Sequence, residues 1–570
     1  MRAPQPLSTA VIAALALLAL SCAPGGAPGA RSAGQPGAKA TRYFGDVTPP
    51  AGDVLTYNNA AEPETFDPHL MSGQPDGRIA RMLFEGLVTN NAQTLAQEPG
   101  QAYRWNLSPD GLTYTFHLRS GLRWTNGDPV TARDFLWSWM RVLNPRTGAR
   151  YASLLYPIKN AEAYNRGAVD STRVGLAAPE DSTFVVTLAN PTPYFLFMSA
   201  FYTYLPVHRA TLERFGDRWT RPENIVSNGP FRLAFWRQGN KVIVEKNPTY
   251  WDAGAVRLKR IVAYAVDDLN TSLSLYKAGM LDWNPSGLIP SQYIPSVREF
   301  ADYRHGPYHG VYFFTVNVTR KPFDNVWVRR ALDYAVDREA ITRGILKGSR
   351  DPWGGLAPSG YPGYQNPPGI AYDPEKARAC LAKAGYPGGS GFPKISILFN
   401  TSEDNRRIAE AIQAMWKQVL GIRVELSNQE WGSYLRATVD LDYDVARRSW
   451  IGDYLDPTTF LYLMRSVDGN NRTGWSNPEY DRLMRESERE VDAAKRMSLL
   501  ERAERLVIAE GPVISVYHYS TNALVKPYVR GIYQNALDTH PMKKVWIDRD
   551  WDRRPPATAA LPGDGGAEPR

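Results

Sequence analysis

The segment from Ile395 to Leu426 constrains the fold more than any other part of the chain. Ile395–Asn400 (ISILFN) is a short continuous apolar run and reads as a buried strand. Ile408, Ile412, Met415, Trp416 and Val419 follow at helical spacing, and Ile422–Leu426 returns to strand character. A strand, a crossover helix and a second strand form a βαβ unit, which demands a parallel pairing with a right-handed connection. Val242–Glu245 and Val513–Tyr519 are further strand candidates, and Pro478–Arg489 and Ala493–Glu510 read as helices. The fold class is α/β.

A chain of 570 residues exceeds one hydrophobic core, so two or three domains are expected. No internal repeat of solenoid or propeller period is present. The formal net charge of +8 comes without a long Lys/Arg run, its basic residues being interleaved with acids. That pattern describes a solvated surface and argues against nucleic-acid binding. Enzyme signatures are missing: there is no GxxxxGK[ST] loop, HExxH helix or GxSxG elbow. The seven histidines are scattered, and His305 and His309, although spaced as on a helix, are separated by Gly306–Pro307. No metal site or cofactor is expected.

The N-terminus carries a targeting pattern. Arg2 precedes the apolar run Ala10–Leu20, which is the length of a signal-peptide core and short for a bilayer span. Residues 1–21 therefore read as a signal peptide. Cys22, behind small residues, resembles the lipoprotein signal, in which the cysteine is lipidated and becomes the new N-terminus; Ala19 departs from that signal, and secretion with cleavage nearby is the alternative. Residues 22–45 are dominated by Ala, Gly and Pro and read as a flexible tether, and residues 551–570 as a disordered tail. The only other cysteine, Cys380, sits at an apolar position of a helix-like stretch over Pro374–Gly385 and reads as a buried small hydrophobe.

The stretch Tyr443–Leu461 (YDVARRSWIGDYLDPTTFL) bears most directly on function. It sets Asp453 among Trp450 and Tyr454, with Asp456 and Pro457 beyond and Arg447 before. A carboxylate among rings is costly to desolvate unless a cation neutralises it, and that cation can belong to a ligand. Asp453 could equally cap the turn before Pro457, and Arg447 could pair with Asp444. Asp453 and Asp456 as an acid/base pair is a further, weaker reading.

These words, in order with Leu83–Leu87 (LFEGL), Thr115–Arg119 (TFHLR), Ser227–Pro230 (SNGP), Asn247–Trp251 (NPTYW), Asn428–Trp431 (NQEW) and Leu524–Pro527 (LVKP), resemble the family 5 extracytoplasmic solute-binding proteins of ABC importers, above all those of oligopeptide-binding type. The resemblance runs from about Val54 to Ile547. It implies a two-lobed periplasmic-binding-protein fold of class II type with an inserted domain and a hinge: lobe I over 46–84, 203–309 and 521–550, the inserted domain over 85–202, and lobe II over 310–520. It implies a monomer that captures short peptides between the lobes and delivers them to permease subunits in the membrane, with no covalent chemistry and no cofactor. Asp453 matches the acid that pairs with a peptide's α-ammonium, Arg447 the arginine near its C-terminus, Trp431 and Trp450 the rings beside side-chain pockets, and Tyr151 and Tyr519 ligand-contacting tyrosines. Asn405 and Ser72 stand where the oligopeptide-specific relatives have histidine and glutamate, so the ligand length stays open. The positions matching that family's disulfide are Gly310 and Ile451. A binder of a metal complex, an oligosaccharide or a cell-wall peptide, or a receptor or chaperone using the same cleft, would show the same sequence.

Overall fold

The structure, a computed structural model, describes residues 41–71, 73–429, 431–466 and 468–553. The signal peptide, Cys22, Ser72 and the tail from residue 554 lie outside the described residues, as does most of the tether.

One mixed sheet runs through the molecule. From one edge its strands are Val424–Gln429, Ile395–Asn400, Val445–Ile451, Tyr303–Val316, Val513–Val525, Trp283–Asn284, Val54–Asn58, Arg260–Tyr264, Lys241–Lys246 and Phe231–Arg237. The βαβ unit is present: Ile395–Asn400 pairs parallel with Val424–Gln429 across the helix Glu403–Leu420. Gly421, at φ +71°, ends that helix in the left-handed conformation that only glycine adopts cheaply. The second strand begins two residues later than the apolar run suggests, because Ile422 packs in the turn instead. The helices Pro478–Arg489 and Ala493–Glu510 have the expected bounds, and the latter is capped by Asp492, which accepts from the Lys495 amide at 2.9 Å.

Two strands, Tyr303–Val316 and Val513–Val525, pass through both halves of the sheet. They pair from Tyr303↔Leu524 to Pro307↔Ser520, break register, and resume from Val311↔His518 to Thr315↔Val513. The first stretch lies beside Trp283–Asn284 and the second beside Val445–Ile451. The chain thus has two lobes with separate cores, joined by crossing strands whose ladder is interrupted at residues 308–310. Gly310 faces Ile451 directly, and a methyl at Gly310 would lie 2.4 Å from the Ile451 Cδ1.

A separate four-stranded antiparallel sheet (Ala102–Leu107, Thr113–Leu118, Thr183–Thr187, Leu176–Glu180) belongs to the inserted domain. The chain leaves lobe I and returns to it at one buckle, and three of the sequence motifs meet there. The Glu85 amide and carbonyl bond the Asn228 side chain at 3.1 and 2.9 Å, and the Gly229 amide donates to the Leu83 carbonyl at 2.8 Å. The Glu85 carboxylate accepts from the Tyr250 hydroxyl and, at 2.6 Å, from the Trp251 indole. A Cβ on Gly229 would sit 2.6 Å from the Leu83 backbone, so this crossing requires glycine.

Three expectations need correction. Residues 42–45, read as tether, are docked: the Phe44 amide donates to Asp302 at 2.9 Å, and Lys526 donates to the Phe44 carbonyl at 3.1 Å. Trp551, read as tail, packs edge-on against Tyr43 with ring centres 5.3 Å apart. Both segments carry aromatic rings, which composition averaged over Ala, Gly and Pro conceals. Cys380 is half-buried at the rim of a lobe II core rather than inside it.

Candidate functional site

The strand Val445–Ile451 ends at the interrupted part of the crossing strands, and the Gly452 amide donates to the His309 carbonyl at 2.8 Å. That bond turns the chain so that Asp453 leaves the sheet and reaches the wall of a cavity of about 860 Å³. The cavity lies between the inserted domain and lobe II, bounded by Leu154, Pro157 and Tyr194 on one side and Trp450, Tyr454 and Tyr462 on the other. This volume is near the upper end of pockets that take drug-sized ligands, about 300–1,000 Å³.

The Asp453 amide is held by Thr459 Oγ1 at 3.0 Å, but its carboxylate has no hydrogen bond and no cation among the described residues. Desolvation alone pushes that carboxyl up to about 7. The capping role falls instead to Asp456, which accepts from the Thr458 amide at 3.1 Å and hydroxyl at 2.7 Å. Asp456 is also paired through both its oxygens with Arg496, at 2.7 and 2.9 Å. A carboxylate so engaged is unavailable as a partner in acid/base work, and the two acids have separate environments.

Arg447 points from the same strand to the opposite face, where its guanidinium lies 4.6 Å from the Tyr312 ring centre. It donates to Asn400 Oδ1 at 3.2 Å and reaches the Tyr519 hydroxyl at 3.5 Å, while its Nε is buried without a partner. No carboxylate pairs with it among the described residues. Asp444, the expected alternative partner, accepts from the Ser396 amide at 2.9 Å and faces Arg320 at 3.6 Å. Asn405 stands in the same neighbourhood, bonded to the Tyr312 hydroxyl at 3.1 Å and to Asn400.

The remaining candidates divide. Tyr151, in the inserted domain, packs edge-on to Tyr202 at 5.8 Å, and burial with the nearby Asp453 carboxylate raises its hydroxyl pKa. Tyr519 lies on a crossing strand beside Tyr308 and Tyr517 and under Arg350. Trp450 lines the cavity with its indole N–H buried and unbonded. Trp431 opens the helix Trp431–Val439, and its side chain lies outside the described residues. So Asp453 and Trp450 line the cavity, Tyr151 lies near enough for the Asp453 charge to act on its hydroxyl without lining it, and Arg447 and Tyr519 form a second group that does not line it either.

Sequence reasoning missed Tyr194, Tyr361 and Tyr462. Tyr361 is buried close enough for the Asp453 charge to act on its hydroxyl, after desolvation the main effects being those of Asp456 and Asp453. The one available signal was the stiff Pro191–Thr192–Pro193 run before Tyr194.

Comparison with known proteins supports a single assignment. Residues 96–472 match the family model described as bacterial extracellular solute-binding proteins, family 5 middle. The oligopeptide-binding protein OppA of Bacillus subtilis is 38% identical over 491 residues, covering 84% of this chain and 90% of that protein. The crystal structure of Haemophilus influenzae OppA in complex with RPPGFSPFR superposes with a TM-score of 0.77 at 34% identity, over 88% of this chain and 100% of that one. A periplasmic oligopeptide-binding protein (OppAIV) from Borrelia burgdorferi gives 0.78 at 34% identity, over 87% and 100%. The chain belongs to the family 5 bacterial extracellular solute-binding proteins, a non-enzymatic family.

Proposed function

We propose that the chain is the peptide-capturing subunit of an ABC importer. One observation carries this reading: Asp453 is a desolvated carboxylate without a cation, on the wall of a cavity lined by two parts of the molecule. A free peptide supplies what is missing. Its α-ammonium pairs with Asp453, and Arg447, also lacking a carboxylate, is the candidate partner for a carboxylate elsewhere on the ligand. The aromatic walls, Trp450 and Tyr462 among them, contact side chains without specifying them. Relatives whose names or titles describe oligopeptide binding support the same ligand class.

In this reading the two lobes close about a hinge where the crossing strands lose register, near residues 308–310 and 519. The proposed divisions are lobe I over 42–84, 203–309 and 521–550, the inserted domain over 85–202, and lobe II over 310–520. Cys22 is lipidated and holds the protein at the outer face of a membrane, where as a monomer it hands peptides to permease subunits. No helix among the described residues is long and apolar enough to cross a membrane.

Native mass spectrometry of the protein purified from cells, with denaturing release of its cargo, tests the reading. A ladder of masses matching mixed short peptides, lost in Asp453→Ala, is expected. A single non-peptide mass overturns it in favour of another solute on the same fold.

A further inference from the structure

The inserted domain meets lobe II through one side chain that the capture of a peptide does not explain. Tyr194 follows Pro191–Thr192–Pro193 and leads into the short helix Phe195–Met198, whose Phe195, Phe197 and Met198 are buried in the inserted-domain core. The Phe195 amide donates to the Thr192 carbonyl at 2.9 Å, so the ring projects from a braced turn. It lies flat on Tyr454 of lobe II, with ring centres 4.7 Å apart and planes 8° apart. Its hydroxyl is 3.0 Å from that of Tyr462, and the Arg496 guanidinium lies 5.4 Å from its ring centre.

Two of the lobe II partners are themselves fixed. Arg496 is locked by Asp456, and the Tyr454 hydroxyl bonds Thr458 at 3.2 Å. Tyr454 is also the residue after Asp453, and Tyr194, Tyr454, Tyr462 and Arg496 all line the cavity. The contact therefore closes the cavity wall beside the unpaired carboxylate. Parting the two domains would break the ring stack, the hydroxyl pair and the cation contact together, since all three converge on one tyrosine.

We propose that Tyr194 is a positioning residue that clamps the inserted domain onto lobe II and sets how long a ligand stays in the cavity. The proposal rests on the cavity being the ligand site, and a clamp of this kind acts on escape more than on entry.

Stopped-flow tryptophan fluorescence with trialanine as the probe measures both rates. Tyr194→Ala should raise the dissociation rate at least about tenfold with the association rate changed less than about twofold. Tyr194→Phe, which keeps the stack and loses the hydroxyl pair, should fall between, and it carries the kinetic test if the alanine variant does not fold. A dissociation rate unchanged in both variants, or a loss confined to association, overturns the proposal. A ligand-free readout separates this from the peptide reading: spin labels at Ser171→Cys and Arg485→Cys, with both native cysteines replaced by serine. Tyr194→Ala should shift or broaden the distance distribution between them, and an unchanged distribution overturns the clamp. Failure of the wild-type protein to bind trialanine would count against peptide capture, while the spin-label distances would still decide the clamp.

Discussion

Replacing Asp453 by asparagine should stabilise the ligand-free protein at neutral and alkaline pH and progressively less in acid. The carboxyl is pushed from the ordinary 3.8 up to about 7 by desolvation. Between those values the folded protein keeps a proton that the unfolded chain has lost, so stability falls as pH rises through the window and the loss is complete above about 7. A gap of about three pH units, at about 1.36 kcal/mol each, sets a ceiling of about 4 kcal/mol. Asp453 retains some exposure, and solvent screening reduces the expected value to about 2 kcal/mol. Asparagine is neutral throughout and escapes the penalty. Urea unfolding of both proteins at pH 5 and pH 8, without ligand, should show a variant about 2 kcal/mol more stable at pH 8 and less than half as much, about 0.8 kcal/mol, at pH 5, where only part of the window has been crossed. Equal differences at both pH values, or a variant less stable at pH 8, would refute the reasoning, because either would mean that a cation already compensates Asp453.

Asp456 should behave in the opposite way. Asp456→Ala strands the buried Arg496 guanidinium and should cost about 3–5 kcal/mol in the same assay, whereas Asp456→Ala with Arg496→Met should recover most of it. The cross-strand pair Gly310–Ile451 should accept a bridge: Gly310→Cys with Ile451→Cys should lose both new thiols to Ellman titration on oxidation, since directly opposed antiparallel residues have Cα atoms about 4.5–5.5 Å apart. Persistence of free thiols in the folded double variant would show that the register differs.

Local patterns in the sequence carried some parts of this structure and not others. The strand Ile395–Asn400 and the helices Pro478–Arg489 and Ala493–Glu510 were legible because each has its own apolar periodicity and end signals. The crossing strand Tyr303–Val316 was not, because Gly306, Pro307 and Gly310 interrupt it where its ladder breaks, and Val513–Val525 runs six residues past its legible end. At the site, the acid among rings marked Asp453, but nothing local distinguished it from Asp456. What separates them is Arg496, 40 residues away, a tertiary partner that no spacing rule supplies. Tyr194 was invisible for the same reason: its partners Tyr454 and Tyr462 are brought to it only by the fold. Motifs such as LFEGL, SNGP and NPTYW identified the family, yet they build the buckle between lobe I and the inserted domain rather than the cavity.

The central claim is that Asp453 waits for the ammonium of a ligand. Isothermal titration calorimetry of trialanine and N-acetyl-trialanine at pH 7.5, repeated with the free peptide down to pH 5, tests it most directly. The account predicts that acetylation weakens binding by at least about 100-fold, the loss expected when one member of a buried charge pair is removed. It also predicts that the free peptide's affinity falls by about tenfold per pH unit below about 7, as Asp453 takes up its proton. Equal affinities for the two peptides, or an affinity flat from pH 7.5 to 5, would contradict it.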